Sequence, residues 1–194
     1  IACNTATSAA VKTMREEFKF PVISMEPAVK PALCGLKDGK ALVLATPATV
    51  SQQRYLNLLE ALNAGDRVIS VGCGGLVELI EGGRADALTV SRYLSGRLET
   101  IKSEKIGAVV LGCTHYSFIE KEIKDFIKVN FNACCGIYDG REGTARQLKR
   151  VLEENGLLRG AGKKGKIEFY TSGDEKETDR FKKLFHRYNP KRGY

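Results

Sequence analysis

The sequence predicts an α/β protein made of two domains, each a doubly wound parallel sheet, and three observations lead there. Segments rich in Ile, Val and Leu alternate with segments of helical period, the pattern of parallel strands joined by crossover helices. Residues 106–111 (IGAVVL) form a near-continuous apolar run, which suits a strand buried on both faces. Two stretches repeat one order of parts: a strand end, a polar turn opening on cysteine (Cys3-Asn4-Thr5 and Cys113-Thr114-His115), then an amphipathic helix.

Taken in order, residues 1–2 end a strand and 6–18 form a helix with Ala6, Ala10, Val11, Met14 and Phe18 inward. Residues 21–25 (PVISM) predict a short strand. Glu26-Pro27 with Pro31 predicts a connection, because proline disfavours helix at the residue before it. Residues 40–45 (KALVLA) are a strand, 46–51 a polar turn carrying Thr46 and Thr49, and 51–64 a helix stopped by Gly65. A strand at 67–71, a Gly-rich turn at 72–75 and a short helix at 76–82 follow, the helix leaving Glu78 and Glu81 as its acids. A long helix at 86–103 delivers the chain to the central strand. Beyond it, Ile119, Ile123, Phe126 and Ile127 mark a helix at 118–129, and 132–138 is a further strand.

Crossovers return to the same sheet, so strands 41–45, 67–71, 107–111 and 133–138 predict one four-stranded parallel sheet, a complete domain over residues 27–139. A helix at 142–155, C-capped by Gly156, leads back to the first layer, where 167–171 supplies a strand and 178–188 a helix through Phe181, Leu184, Phe185 and Tyr188. Residues 1–26 and 140–194 then make up the first domain, whose sheet has few strands. That domain is expected to be incomplete at its N-terminus, with a further segment upstream of Ile1.

At 43% hydrophobic residues the chain has enough apolar surface for a real core. No apolar run approaches the length of a membrane span and no signal-peptide pattern stands at Ile1, so a cytoplasmic protein with no membrane partner is expected. Six cysteines accompany only two histidines and no CxxC pair, which predicts reduced thiols and no metal site. Cys34, Cys73, Cys134 and Cys135 are expected as small hydrophobes, and His186 as a surface residue. The net charge of +8 concentrates in residues 159–166 (RGAGKKGK) and Lys191-Arg192, without interleaved aromatics. A solvated basic surface, not a nucleic-acid partner, is the expectation.

The chemistry is in the two cysteine turns. A strand-to-helix turn is where α/β sheets bind ligands, and where backbone N–H groups favour an anion or a thiolate. If the turns face each other, a planar carbanion between them has one sulfur on each side, the arrangement needed to invert a stereocentre bearing an acidic hydrogen. A thiol pKa near ~8.5, lowered at a helix N-terminus, leaves one thiolate and one thiol available near neutrality. Asn4, Thr5 and Thr114 are placed to hold carboxylates, and His115 and Glu81 to relay charge beside Cys113. Two other readings are open: thiol hydrolysis or acyl transfer with Cys113 as nucleophile and His115 as base, and a truncated binding module without catalysis.

Residues 1–7 (IACNTAT) and 111–116 (LGCTHY) resemble the two signature motifs of the glutamate racemases, cofactor-independent members of the aspartate/glutamate racemase superfamily. The resemblance runs along essentially the whole chain, including residues 76–83, 138–147 and the C-terminal strand. His115 favours glutamate over aspartate racemases, whose second motif resembles Gly-Cys-Thr-Glu. The resemblance implies a two-domain fold with the site between domains, no cofactor, and glutamate as the small-molecule partner. It makes Cys3 and Cys113 the acid/base thiols, Asn4, Thr5, Thr49 and Thr114 the substrate-binding residues, and His115 and Glu81 the assistants of Cys113. Glu81 is preferred to Glu78 because it stands just before Gly82-Gly83. It further implies supply of D-glutamate for peptidoglycan, and often a homodimer. Two departures are the family's Asp-Ser-Gly strand end and Tyr-Gly pair, absent here, so a chain truly beginning at Ile1 is expected to be inactive or unstable. A third is Ser117, where proline usually follows Tyr116.

Overall fold

The computed structural model describes residues 1–131, 133, 135–160 and 166–188. The chain divides into two compact units, Ile1–Asn155 and Gly156–Tyr194.

The first unit is organised on four parallel strands: β1 (Lys40–Ala45), β2 (Val68–Gly72), β3 (Ile106–Leu111) and β4 (Gly136–Asp139). Their order is β2-β1-β3-β4. Leu42 pairs with Ile69 on one side and Val109 on the other, and Val110 pairs with Tyr138. This is the parallel sheet expected from the apolar runs. Its last strand starts later than expected, and Asn132 and Cys134 lie outside the described residues.

Among the described residues of the first unit, α-helices flank or join these strands: α1 (Asn4–Glu17), α2 (Val29–Gly35), α3 (Pro47–Ser51), α4 (Gln53–Ala61), α5 (Leu76–Glu81), α6 (Ala87–Arg97) and α7 (Glu120–Asn130). Another, α8 (Arg141–Glu154), follows β4. Successive strand residues point to opposite faces. On one face Leu42, Leu44, Val109 and Leu111 pack against Leu76, Ile80, Val90, Leu94, Ile123 and Ile127. On the other, Ala41, Val43, Ala45, Ala108 and Val110 meet Val29, Ala32, Leu33 and Tyr55. Burial of each large aliphatic side chain contributes about 1.5–3 kcal/mol, so both faces need their apolar residues and neither strand alternates with polar ones.

Several expectations are corrected. Residues 1–2 form no strand, the turn expected at 46–51 is occupied by α3, and the helix expected at 86–103 ends at Arg97, before a 3-10 turn at Glu99–Ile101. Residues 21–25 and 167–171 form no strand; a strand needs a ladder, and at 21–25 the backbone accepts only isolated bonds, from the Ile1 amino group to Ile23 and from Arg15 to Val22. The Pro27–Pro31 connection contains α2, because Pro31 falls in that helix's first turn, where no intrahelical N–H is required. The helix expected at 51–64 ends at Ala61, not at Gly65. Asn63 takes φ +44°, and the amides of Asn63 and Ala64 return to the carbonyls of Glu60 and Leu59, a left-handed cap two residues earlier.

The second unit contains α9 (Glu175–Tyr188). Asp174 accepts the Glu177 amide and so starts the helix three residues before the expected Thr178. Phe169 and Phe185 pack edge to face at 5.3 Å between centroids, and His186 is exposed, as expected. The side chain of Tyr188, residues 161–165 of the basic stretch and Lys191-Arg192 lie outside the described residues. Among the described residues, no helix is long and apolar enough to cross a membrane.

Candidate active site

The order β2-β1-β3-β4 means that the chain leaves β1 toward one edge of the sheet and β3 toward the other. The crevice beyond the carboxyl ends of β1 and β3 is therefore the topological switch point, the position at which open α/β sheets bind ligands. Thr46 follows β1 there, and Gly112 and Cys113 follow β3. The two strand ends approach closely. A Cβ at Gly112 would lie 2.7 Å from the Ala45 Cβ, so glycine is required for the turn.

The first cysteine turn lies against this crevice. Asn4 is buried and donates from Nδ2 to the Gly112 carbonyl at 2.7 Å, so the residue after Cys3 is bonded to the residue before Cys113. Thr5 Oγ1 reaches Thr46 Oγ1 at 3.2 Å and Thr49 Oγ1 at 3.0 Å, and Thr46 and Thr49 are 2.9 Å apart. Three hydroxyls thus form a closed triangle between the start of α1 and the start of α3. Thr46 also caps α3 by accepting the Thr49 amide. Thr46 was expected only as a turn or cap residue; its place in the triangle depends on Thr5, far away in sequence.

Cys3 is exposed and caps α1, its sulfur accepting the Ala6 amide at 3.5 Å. Cys113 is half-buried and precedes a 3-10 segment, Thr114–Ile119, with no cap bond from its side chain. Its Sγ lies 3.8 Å from His115 Nδ1, and His115 Nε2 lies 2.8 Å from Glu81 Oε1. A carboxylate accepting from Nε2–H leaves the Nδ1 lone pair directed at the thiol, the tautomer suited to taking its proton. Burial raises the Cys113 pKa; the amides of His115 and Tyr116 oppose this, while charge on Cys3 and Glu81 adds to it. The lowering expected for a helix N-terminus is outweighed at Cys113 by burial of the thiol.

Glu78 is exposed, whereas Glu81, the last residue of α5, faces His115. Thr114 is half-buried on the Cys113 turn. Cys73 is buried in the core, Cys135 half-buried against it, and Cys34 exposed, contrary to the buried role expected for it, since it lies on the outer side of α2. Among the described residues, no group of three or more His, Cys, Asp or Glu is arranged to hold a metal.

A cavity of about 770 Å³ opens elsewhere, between residues 24–31 and 137–147, and neither thiol lines it. Much of its charge is already paired: Arg141 with Asp139 and Glu120, and Arg146 with Glu142. Converging chemistry, not void size, locates the candidate site at the thiols.

Residues 1–135 match the Asp/Glu/Hydantoin racemase family. The glutamate racemase of Clostridium botulinum (strain Okra / Type B1) is 40% identical over 91% of this chain and 67% of its own length. The chain belongs to the Asp/Glu/Hydantoin racemase family. The family's fold is seen in glutamate racemase isoform RacE1 from Bacillus anthracis, with a TM-score of 0.78 and 28% identity over 97% of this chain and 68% of that one. It is seen again in the Escherichia coli glutamate racemase solved with L-glutamate and the activator UDP-MurNAc-ala, at a TM-score of 0.67 and 28% identity, over 78% of this chain and 56% of that one. The family match includes both cysteine turns, the threonine triangle and Glu81.

Proposed function

We propose that the protein interconverts L- and D-glutamate without a cofactor, by proton abstraction and return between two thiols. The observation that carries this reading is the Asn4–Gly112 bond at the switch point, which joins the two cysteine turns directly. Its relatives are glutamate racemases, one of them solved with L-glutamate.

For one enantiomer, the Cys3 thiolate takes the α-hydrogen as a proton, the electron pair stays on Cα and its carboxylate, and the Cys113 thiol returns a proton to the opposite face. For the other enantiomer the roles reverse. The cycle starts only when the receiving thiol is ionised and the donating one is not. Glu81 and His115 exchange the Cys113 proton. Asn4, Thr5, Thr49 and Thr114 hold the substrate carboxylates and amine, with a polar lining that also keeps the reacting carbon centred. Residues 27–139, which contain the whole sheet, form one racemase domain, and residues 1–26 with 140–194 belong to the other. The D-glutamate made serves peptidoglycan precursor synthesis in the cytoplasm, by an enzyme that works as a homodimer.

The test is incubation of the full-length protein with L- or D-glutamate in deuterated water, followed by NMR and mass spectrometry. Substrate-dependent deuterium at Cα with no hydrolysed product is expected. A covalent acyl adduct on Cys113, or hydrolysis without α-exchange, would overturn the reading in favour of a thiol hydrolase. Binding of glutamate without exchange would leave a binding module.

A further inference from the structure

A buried hydroxyl beside the proposed relay has no role in the chemistry above. Tyr116 follows His115, is fully buried, and donates its hydroxyl to the Cys73 carbonyl at 3.1 Å. Cys73 lies in the turn from which α5 starts, and α5 ends on Glu81. The next carbonyl along, that of Gly74, accepts the Tyr93 hydroxyl from α6 at 2.8 Å. Gly75, at φ +85°, gives α5 no side-chain cap. The start of α5 is therefore held from outside, by two tyrosine hydroxyls on consecutive carbonyls. The Thr114–Ile119 segment meets this region twice, through Tyr116 at the start of α5 and through His115 at its end.

We infer that Tyr116 is a positioning residue: by fixing the start of α5 to the Cys113 turn, it sets Glu81 at bonding distance from His115. The inference rests on the reading of Glu81 and His115 as the relay for Cys113. A six-residue helix is ~9 Å long, so a tilt of ~10° about its start displaces its far end by roughly 1.5 Å, enough to break a 2.8 Å contact. The Tyr116 hydroxyl is spent on the Cys73 carbonyl and not on a reacting atom. Its ring fills the core beside Ile119 and Ile123, and its hydroxyl supplies the alignment.

The test compares wild type, Tyr116→Phe, Tyr93→Phe and Glu81→Gln by racemase kinetics, thermal unfolding and nitrogen NMR of the His115 ring. Tyr116→Phe keeps the ring and deletes only the hydroxyl. Its kcat is expected to fall about tenfold, with KM within about twofold and the His115 Nε2 resonance moved toward its position in Glu81→Gln. A merely structural hydroxyl would lower the melting temperature and leave the resonance in place. Tyr93→Phe, at the half-buried bridge, is expected to lose about threefold in kcat by the same route, and is measured instead if Tyr116→Phe does not fold. Wild-type kcat and an unmoved His115 resonance in the tyrosine variant measured would overturn the inference alone. Equal turnover by wild type and Glu81→Gln would remove the relay reading itself.

Discussion

Both catalytic candidates occupy the same local position, an extended residue just before a helical segment, with φ −145° and ψ 126° at Cys3 and φ −132° and ψ 136° at Cys113. Beyond that the turns diverge. Cys3 stands exposed at the head of a 14-residue helix and accepts an amide; Cys113 is half-buried before a 3-10 segment and leans on His115 and Glu81. Cys3 meets solvent and the Ala6 amide and has no side-chain base beside it among the described contacts of its sulfur. A thiol whose burial raises its pKa needs a neighbouring base. The comparison teaches that, in the mechanism proposed, two equivalent roles on opposite faces of one carbon would be filled by different means.

The largest effect should come from removing either sulfur. Cys3→Ser and Cys113→Ser are each expected to lower racemisation by about 10³-fold or more, and the double variant to be scarcely worse, because the thiols act as a unit. Circular dichroism of enantiopure glutamate measures it; full activity in either variant would break the pairing. Next is Glu81→Gln, expected to cost about 10²-fold, within the range of general acid–base assistance. Its primary deuterium isotope effect should grow for the enantiomer whose hydrogen Cys113 removes and stay nearly constant for the other. Equal growth for both would deny the asymmetry.

A smaller contrast concerns alkylation. Iodoacetamide at neutral pH is expected to label Cys3 about tenfold faster than Cys113, with Cys73 last, as read by peptide mass spectrometry. The smallest effect is on stability in alkali. Burial pushes the Cys73 thiol up to about 12 and raises the pKa values of Cys113 and Tyr116. These groups stay protonated in the fold after they would ionise in the unfolded chain. Stability from them is complete below the ordinary thiol range near ~8.5 and is lost as pH rises toward the folded values. Urea midpoints should fall between pH 8.5 and 11, and Cys73→Ala should flatten that fall.

The sheet was legible because strands buried on both faces must be apolar throughout, as in KALVLA and IGAVVL. Helix α2 was not, because Pro27 and Pro31 read as breakers until the helix start is known. Residues 21–25 and 167–171 have the composition of strands, but pairing decides a strand and a single segment carries no sign of its partner. Cys3, Cys113 and His115 were visible as reactive groups on polar turns before helical segments, although only Cys113 and His115 follow a strand. Preference for Glu81 over Glu78 came through resemblance, and the structure places Glu81 against the imidazole. Thr46 and Tyr116 left no local signature: one joins Thr5 across 41 residues and the other meets a carbonyl 43 residues away.

The central claim is that one carbon is reached by residues 3 and 113 from opposite sides. Brief conversion of unlabelled D-glutamate in deuterated water, with both enantiomers separated and weighed by mass spectrometry, tests it most directly. Two separate proton carriers predict that newly formed L-glutamate holds solvent deuterium while recovered D-glutamate remains unlabelled. Deuterium in the recovered D-glutamate at the same rate as in the product would mean one base serving both faces, and would contradict the account.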